Sequence, residues 1–271
     1  MQKVYNLTNK YFILATPLIL YTLFSSIYMA VSANGKLINL IIAFILFILM
    51  TGAFLSGWFF MIKTAITEDK QDEPNTLIKD FPSGVGEYFL TTLGGIVNVT
   101  VITLLFIFAS YFIGLHYIGD PNIAPDAFVK AFESPVELKA FIASLTEEQL
   151  YKIGLWNILI LSSTGLAYFL VLLYFPAIFF KNKNPFIAFF VSLKDLFSKK
   201  IITTIGIYLL IFIGNFIISI LSALFANNLI LHFIVTLLNF YFITYASLGV
   251  FYYYYTNFVK IYIEQNIDTT V

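Results

Sequence analysis

The chain has 271 residues, of which 60% are hydrophobic and only 11% are charged, whereas soluble domains carry about 25% charged residues. This composition excludes an ordinary soluble domain and predicts an integral membrane protein. The 15 basic residues are all lysine and cysteine is absent, so the chain offers no arginine fork for phosphate groups, no disulfide and no thiolate ligand.

Apolar runs long enough to cross a hydrocarbon core of about 30 Å recur six times. They predict an all-α polytopic bundle in one domain, 1–271, with spans at about 11–31, 37–62, 88–115, 155–180, 201–226 and 229–259. Pro17 and Pro176 each remove a helix hydrogen bond within a span. A cleaved signal peptide is the competing interpretation of the first run. Its apolar part exceeds the roughly 7 to 15 residues of such peptides, so we expect it to be retained.

The connection between the second and third spans has two parts. Glu68 to Glu73 is charged, and its acids lack a spacing that would define a cation site, so we expect a solvated turn. Thr76 to Phe81 predicts a brief amphipathic helix.

The segment 116–154 is the long polar connection. Ser134-Pro135-Val136-Glu137 and Thr146-Glu147-Glu148-Gln149 both fit the capping box, in which a hydroxyl and a side chain three residues later satisfy each other's free amides. They predict a small extracytoplasmic cap of short helices near Asp126 to Glu133, Pro135 to Leu145 and Glu147 to Ile153.

The segment from Asn184 to Lys199 predicts a helix lying in the plane of the membrane interface. Asn184 suits the N-cap and Pro185 the first helical position. One arc holds Phe186, Phe189, Phe190, Leu193, Leu196 and Phe197, and the opposite arc holds Ala188, Ser192, Asp195 and Lys199. We expect membrane-interface contacts from Phe186, Phe190, Leu193, Phe197, Lys194 and Lys199. Phe190→Glu is therefore predicted to harm the protein far more than Ser192→Glu.

The distribution of lysines predicts the orientation. With a cytoplasmic N-terminus, eleven lysines lie in inside segments and four in outside segments. Both termini and both amphipathic segments then face the cytoplasm, and the cap faces outward. Tyr252 to Tyr255, followed by Lys260, indicates an aromatic belt at the membrane surface.

An internal repeat is suggested by two pairs of similar segments. Ile78 to Ser83 resembles Leu193 to Ser198, and Thr91 to Gly94 resembles Thr203 to Gly206. Both units run span, amphipathic helix, span, which predicts parallel repeats. Chance similarity in so biased a composition is the alternative.

Catalytic patterns are missing from the sequence. We find no charged side chain at mid-span, no nucleophile and base set, and no spacing of His116 and His232 typical of a metal site. No cofactor, metal or nucleic-acid partner is expected. Candidate cavity-lining residues are Asn98, Asn157, Asn215 and Asn239, although hydrogen bonds between helices explain them equally well.

One segment resembles a known family. Phe175-Pro176-Ala177, Asn184-Pro185-Phe186-Ile187-Ala188 and Ser192-Leu193 resemble a pattern in the six-span membrane domains beside some bacterial glycerophosphoryl diester phosphodiesterases, and in uncharacterised stand-alone relatives. The resemblance implies a fold in the cytoplasmic membrane of a bacterium. It transfers no catalytic residue, because the chain has no phosphodiesterase domain.

Three classes of function stay open. We expect a non-enzymatic membrane module that binds lipid or a protein partner, since the interfacial helices need no chemistry. A transporter or channel for an uncharged or lipidic substrate is the first alternative. An intramembrane enzyme is the second.

Overall fold

A computed structural model describes residues 2–32, 37–68, 74–124, 126, 130–131 and 134–260. Throughout these ranges the regular elements are helical, and no strand occurs in them. The α-helices are α1 (Gln2–Lys10), α2 (Ala15–Ser32), α3 (Leu37–Thr67), α4 (Asp80–Tyr117), α5 (Pro135–Ser144), α6 (Glu147–Val171), α7 (Tyr174–Phe180), α8 (Pro185–Leu196), α9 (Ile201–Leu224) and α10 (Leu229–Tyr254). Short 3-10 helices cover Phe12–Leu14 and Pro74–Lys79, and a π-helical turn covers Tyr255–Val259.

Six helical segments are long and apolar enough to cross a membrane. They are Phe12–Met29, Ile41–Thr67, Thr76–Tyr117, Glu147–Phe180, Ile201–Leu224 and Leu229–Val259. Such segments become helices because an unpaired backbone amide or carbonyl in hydrocarbon costs several kcal/mol. The predicted all-α polytopic bundle is confirmed, and the chain is a multi-pass integral membrane protein.

Two prolines determine where helices restart. Pro17 and Pro176 are the third residues of α2 and α7, within the first turn, where the missing N–H costs no intrahelical bond. A proline ring also crowds the carbonyl four residues earlier, so the preceding helix has to end. The predicted fourth span is therefore two helices, interrupted at Leu172 and Leu173.

The first amphipathic segment differs from the prediction. The 3-10 helix Pro74–Lys79 leads directly into α4, and Leu77 is fully buried. Pro82 is the third residue of α4, a position that allows the long helix to start at Asp80. The two halves of the suggested repeat thus have different connections, and the repeat stays a prediction.

In the polar connection Ser134 forms its predicted N-cap bond, and the box of Thr146 and Gln149 forms in both directions. Ser134 Oγ accepts the Glu137 amide at 3.2 Å at the start of α5. Thr146 Oγ1 accepts the Gln149 amide at 3.3 Å, and Gln149 Oε1 accepts the Thr146 amide at 3.0 Å.

The helix that starts at Glu147 is longer than predicted. A separate helix ending at Ile153 is wrong, because α6 continues through Gly154 to Val171. An isolated glycine costs a helix only about 1 kcal/mol, which the apolar run can offset. The helix predicted near Asp126 to Glu133 lies mostly outside the described residues.

Packing divides the chain into two compact units, a division that the prediction of one domain did not include. One unit is Val99–Phe169. Within it, Trp156 lies on Gly114, where a Cβ atom would be 2.3 Å from the indole ring. The Trp156 indole N–H donates to the Gly119 carbonyl at 3.0 Å, and Ser163 Oγ donates to the Phe106 carbonyl at 2.9 Å. These contacts join the second half of α4 to α6.

The other unit comprises Met1–Asn98 and Leu170–Val271, and its buried core lies at one end of its helices. We call this the lysine end, because Lys63, Lys181, Lys183 and Lys200 flank it. The fully buried side chains include Tyr11, Leu14, Met61, Ile62, Leu77, Tyr88, Leu173, Tyr174, Ile178, Leu196 and Tyr254. Farther along the spans, rings such as Phe24, Phe44 and Phe212 are exposed, as expected of surfaces that face lipid.

The aromatic run at the end of α10 is part of this core. Tyr253 and Tyr254 are buried, and Tyr254 Oη donates to Asp195 Oδ2 at 2.6 Å. The predicted aromatic belt is therefore wrong for these two residues. A buried phenol needs a hydrogen-bond acceptor, and Asp195 supplies it.

Candidate functional site

The N-terminus of α8 forms as its sequence predicts. Asn184 Oδ1 accepts the amides of Phe186 at 3.0 Å and Ile187 at 3.3 Å, and Pro185 is the first helical residue. The cap satisfies amides that no carbonyl within the helix can reach.

Hydrogen bonds and an ion pair hold α8 at both ends. At its start, Asn98 Nδ2 donates to Tyr174 Oη, which donates to the Pro185 carbonyl, each at 2.9 Å. Near its end, Lys181 Nζ lies 2.8 Å from Asp195 Oδ2, the same oxygen that Tyr254 contacts. Since both ends are fixed by side chains of other helices, the face that α8 presents outward is defined by the fold.

The two faces of α8 differ sharply in exposure. Phe186, Phe190 and Phe197 are 66%, 69% and 60% exposed, whereas Ala188, Ser192 and Leu196 are fully buried. The prediction that Phe190→Glu harms the protein far more than Ser192→Glu assumed an exposed Ser192, and this burial contradicts that assumption. Leu196, predicted on the arc of the phenylalanines, also lies on the buried face. A repeat of small residues four apart, Ala188 and Ser192, is the sequence signal for the packing of this face.

Lysines beside α8 fall into two groups. Lys183 Nζ lies 2.7 Å from Glu87 Oε1, and Lys63 Nζ donates to Tyr88 Oη at 2.9 Å, so these ammonium groups have partners. Lys194 and Lys199 are exposed and have no acidic partner within the part of the chain that the structure describes. Leu193, the remaining predicted interface residue, is half-buried.

An apolar groove of about 340 Å³ runs between α1, α9 and α10 near the lysine end. Its walls include Ile207, Leu210, Ile211, Phe242, Tyr245, Ala246, Gly249 and Val250. Thr203, Thr256 and Asn257 also line it, and Asn257 Oδ1 accepts from Lys200 Nζ at 2.6 Å. The groove thus combines apolar walls with a polar edge that carries a lysine.

A second cavity, which we call the polar cavity, has a volume of about 630 Å³ and lies between the C-terminal half of α9 and the N-terminal half of α10. Its polar lining residues are Asn215, Ser219, Ser222, His232, Thr236 and Asn239. Ile218, Ala223, Ala226, Val235 and Ile243 complete it. Two of the four predicted cavity-lining asparagines, Asn215 and Asn239, are therefore brought together.

The other two asparagines lie elsewhere. Asn98 is committed to Tyr174, so it joins helices. Asn157 is exposed on α6, in the Val99–Phe169 unit. The prediction treated the four asparagines alike because the residues that surround each of them in the fold are distant in sequence.

Phe242 packs at the boundary between the groove and the polar cavity. A Cβ atom on Gly214 would lie 2.4 Å from its ring, so a larger residue at this position would have to displace the ring. On α9, Gly214 lies between Ile211, which lines the groove, and Asn215, which lines the polar cavity.

Asp195 and Tyr254, which fix the end of α8, were not predicted as site residues. No sequence signal links them, because they are 59 positions apart. No protein-family model, curated protein or solved structure matches this chain. The resemblance to the membrane domains of glycerophosphoryl diester phosphodiesterases stays a prediction.

Proposed function

We propose that this protein is a non-enzymatic membrane module that binds phospholipid at its lysine end. The observation that carries the proposal is the exposed face of α8, where Phe186, Phe190 and Phe197 point away from the protein. A fixed helix between two membrane-crossing segments lies at the membrane boundary, where acyl chains can cover such a face.

The charges beside this face suit an anionic lipid surface. Lys194 and Lys199 are exposed, and each lysine near such a surface adds roughly 1 kcal/mol of attraction. Their long apolar stems can lie along the interface while the ammonium groups reach the headgroups. The exposed phenylalanines and lysines together therefore suit binding to a phospholipid better than binding to an uncharged apolar surface of a protein partner.

The apolar groove supports the same function. Its walls suit an acyl chain, and Lys200 with Asn257 at its edge suits a headgroup. A phospholipid is the amphiphile that has both parts in this arrangement.

The excess of lysine at this end favours a cytoplasmic location, with both termini on the same side. We also propose that the protein lies in the cytoplasmic membrane of a bacterium and is related to the membrane domains of glycerophosphoryl diester phosphodiesterases. The sequence resemblance between residues 171 and 200 supports both statements.

Spin labels test where α8 lies. Because the chain has no cysteine, Phe190→Cys and Lys194→Cys each give one labelling site for a nitroxide. In vesicles of phosphatidylcholine and phosphatidylglycerol, we expect the label at Phe190 to collide with dissolved oxygen and to be protected from a water-soluble nickel chelate. The label at Lys194 should be more accessible to the chelate. Equal, high access of the chelate at both positions would show that α8 is solvated and would refute the proposal.

A further inference from the structure

The polar side chains of the polar cavity have few partners. The side chains of Asn215, Ser219, Ser222 and Asn239 form no hydrogen bond with any residue that the structure describes. Nδ1 of His232, another lining residue, is buried without a partner in the same set of residues. The fold therefore brings together several hydrogen-bonding side chains to which the described residues supply no hydrogen-bond partner.

This arrangement is costly unless something polar occupies the cavity. Asn239 lies about 15 Å along α10 from its start, which is about half the thickness of a hydrocarbon core. An amide at that depth without a hydrogen-bond partner is strongly destabilising, because hydrocarbon supplies neither donors nor acceptors.

We propose that the polar cavity is a water-filled binding site for a small uncharged solute rich in hydroxyl groups, such as a polyol. Each asparagine offers two N–H donors and a carbonyl acceptor, and a hydroxyl group both donates and accepts. Among the described residues, no lysine, aspartate or glutamate lines the cavity, so a charged ligand would remain uncompensated at membrane depth.

The shape favours a solute over a second copy of the chain. Asn215 and Ser219 are exposed at the rim, whereas Asn239, Thr236 and His232 are half-buried behind them. A helix from another copy, about 10 Å wide, would cover the rim without filling the space behind it. The volume of about 630 Å³ lies within the range of about 300–1,000 Å³ that is typical of small-molecule sites.

The cavity is closed toward the lysine end. Phe242 packs on Gly214 directly beyond Asn215 on that side, and the exposed Asn215 and Ser219 form the open rim. These features suit a binding site. Solute binding there requires neither a path through the membrane nor the lipid-binding function proposed above.

Single cysteines test whether water fills the cavity. Asn215→Cys and Asn239→Cys place a thiol in it, and Ile217→Cys is a matched control, since Ile217 is exposed nearly opposite Asn215 on the same helix. The protein in phosphatidylcholine vesicles is treated with a charged methanethiosulfonate reagent. Because the reacting thiolate is suppressed in apolar surroundings, we expect modification at Asn215 and Asn239 to be at least about a hundredfold faster than at Ile217. Equal, slow modification at all three would overturn the proposal, as would spontaneous disulfide dimers of Asn215→Cys.

Protection then tests for solute binding. We expect glycerol and erythritol to slow modification of Ala223→Cys, which places a thiol at the cavity lining and keeps both asparagines, and choline at the same osmolality to have no effect. Ser144→Cys, on the exposed surface of α5, is the control for direct effects on the reagent. If Asn215→Cys and Asn239→Cys react rapidly and neither polyol protects Ala223→Cys beyond Ser144→Cys, the cavity holds water alone and the assignment of a polyol site is wrong.

Discussion

Replacing Phe190 by glutamate tests the role of the exposed face of α8. A fully buried phenylalanine contributes about 1.5–3 kcal/mol relative to an exposed one. Since 69% of Phe190 is open to its surroundings, contact with acyl chains accounts for roughly two thirds of that, about 1–2 kcal/mol. A carboxylate at the interface adds a further cost of roughly 0–1 kcal/mol. We therefore expect Phe190→Glu to destabilise the protein in a membrane by about 1–3 kcal/mol.

Two further variants make this comparison specific. Phe190→Leu keeps an apolar side chain and should change stability by less than about 0.5 kcal/mol. Ser192→Glu places an unpaired carboxylate on the fully buried face of α8, which should cost on the order of 3–5 kcal/mol. The expected order of damage is thus Ser192→Glu, then Phe190→Glu, then Phe190→Leu.

The measurement is the midpoint of thermal unfolding in vesicles of phosphatidylcholine and phosphatidylglycerol. At about 2–4 °C per kcal/mol for a chain of this size, Phe190→Glu should lower the midpoint by roughly 2–12 °C. If Phe190→Glu and Phe190→Leu unfold at the same temperature, the ring makes no contact with lipid. The outer face of α8 would then not be covered by acyl chains.

Two other predictions concern the support of α8 and the orientation of the chain. Tyr174→Phe removes the hydroxyl that joins Asn98 to the start of α8. Because the Asn98 amide and the Pro185 carbonyl then lose this partner, the thermal midpoint should fall by the equivalent of about 1–3 kcal/mol. An unchanged midpoint would show that this link is dispensable. In intact cells, a membrane-impermeant thiol reagent should label Ser144→Cys and leave Lys199→Cys unlabelled until the membrane is permeabilised, and the reverse pattern would refute cytoplasmic termini.

Features that depend on neighbouring residues could be predicted from the sequence. The cap at Asn184 and the box of Thr146 with Gln149 join atoms at most three residues apart. The restart of helices near Pro17 and Pro176 likewise follows from the chemistry of one residue. The six spans were predictable because length and apolar composition determine them.

Features that depend on distant partners were not predictable in the same way. A helical projection separates the two faces of α8, but the face that meets protein is indicated only by the four-residue spacing of the small residues Ala188 and Ser192. The tyrosines at the end of α10 have the composition of an aromatic belt, and only the position of Asp195 reveals that Tyr254 is a core residue. Gly154 resembles a helix end, yet the apolar run that follows carries α6 through it.

Asn98 and Asn215 show why an asparagine within a membrane span has no fixed meaning. Asn98 meets Tyr174, a phenol 76 positions away, and the pair holds helices together. Asn215 lines a cavity with Asn239 and meets no described partner, so its amide calls for water or a solute. The two residues have the same chemistry, and the difference lies only in whether another helix brings an acceptor or donor within about 3 Å. For this protein, unsatisfied hydrogen-bonding side chains within the spans therefore point to the proposed binding site, whereas the charged residues at the span ends do not.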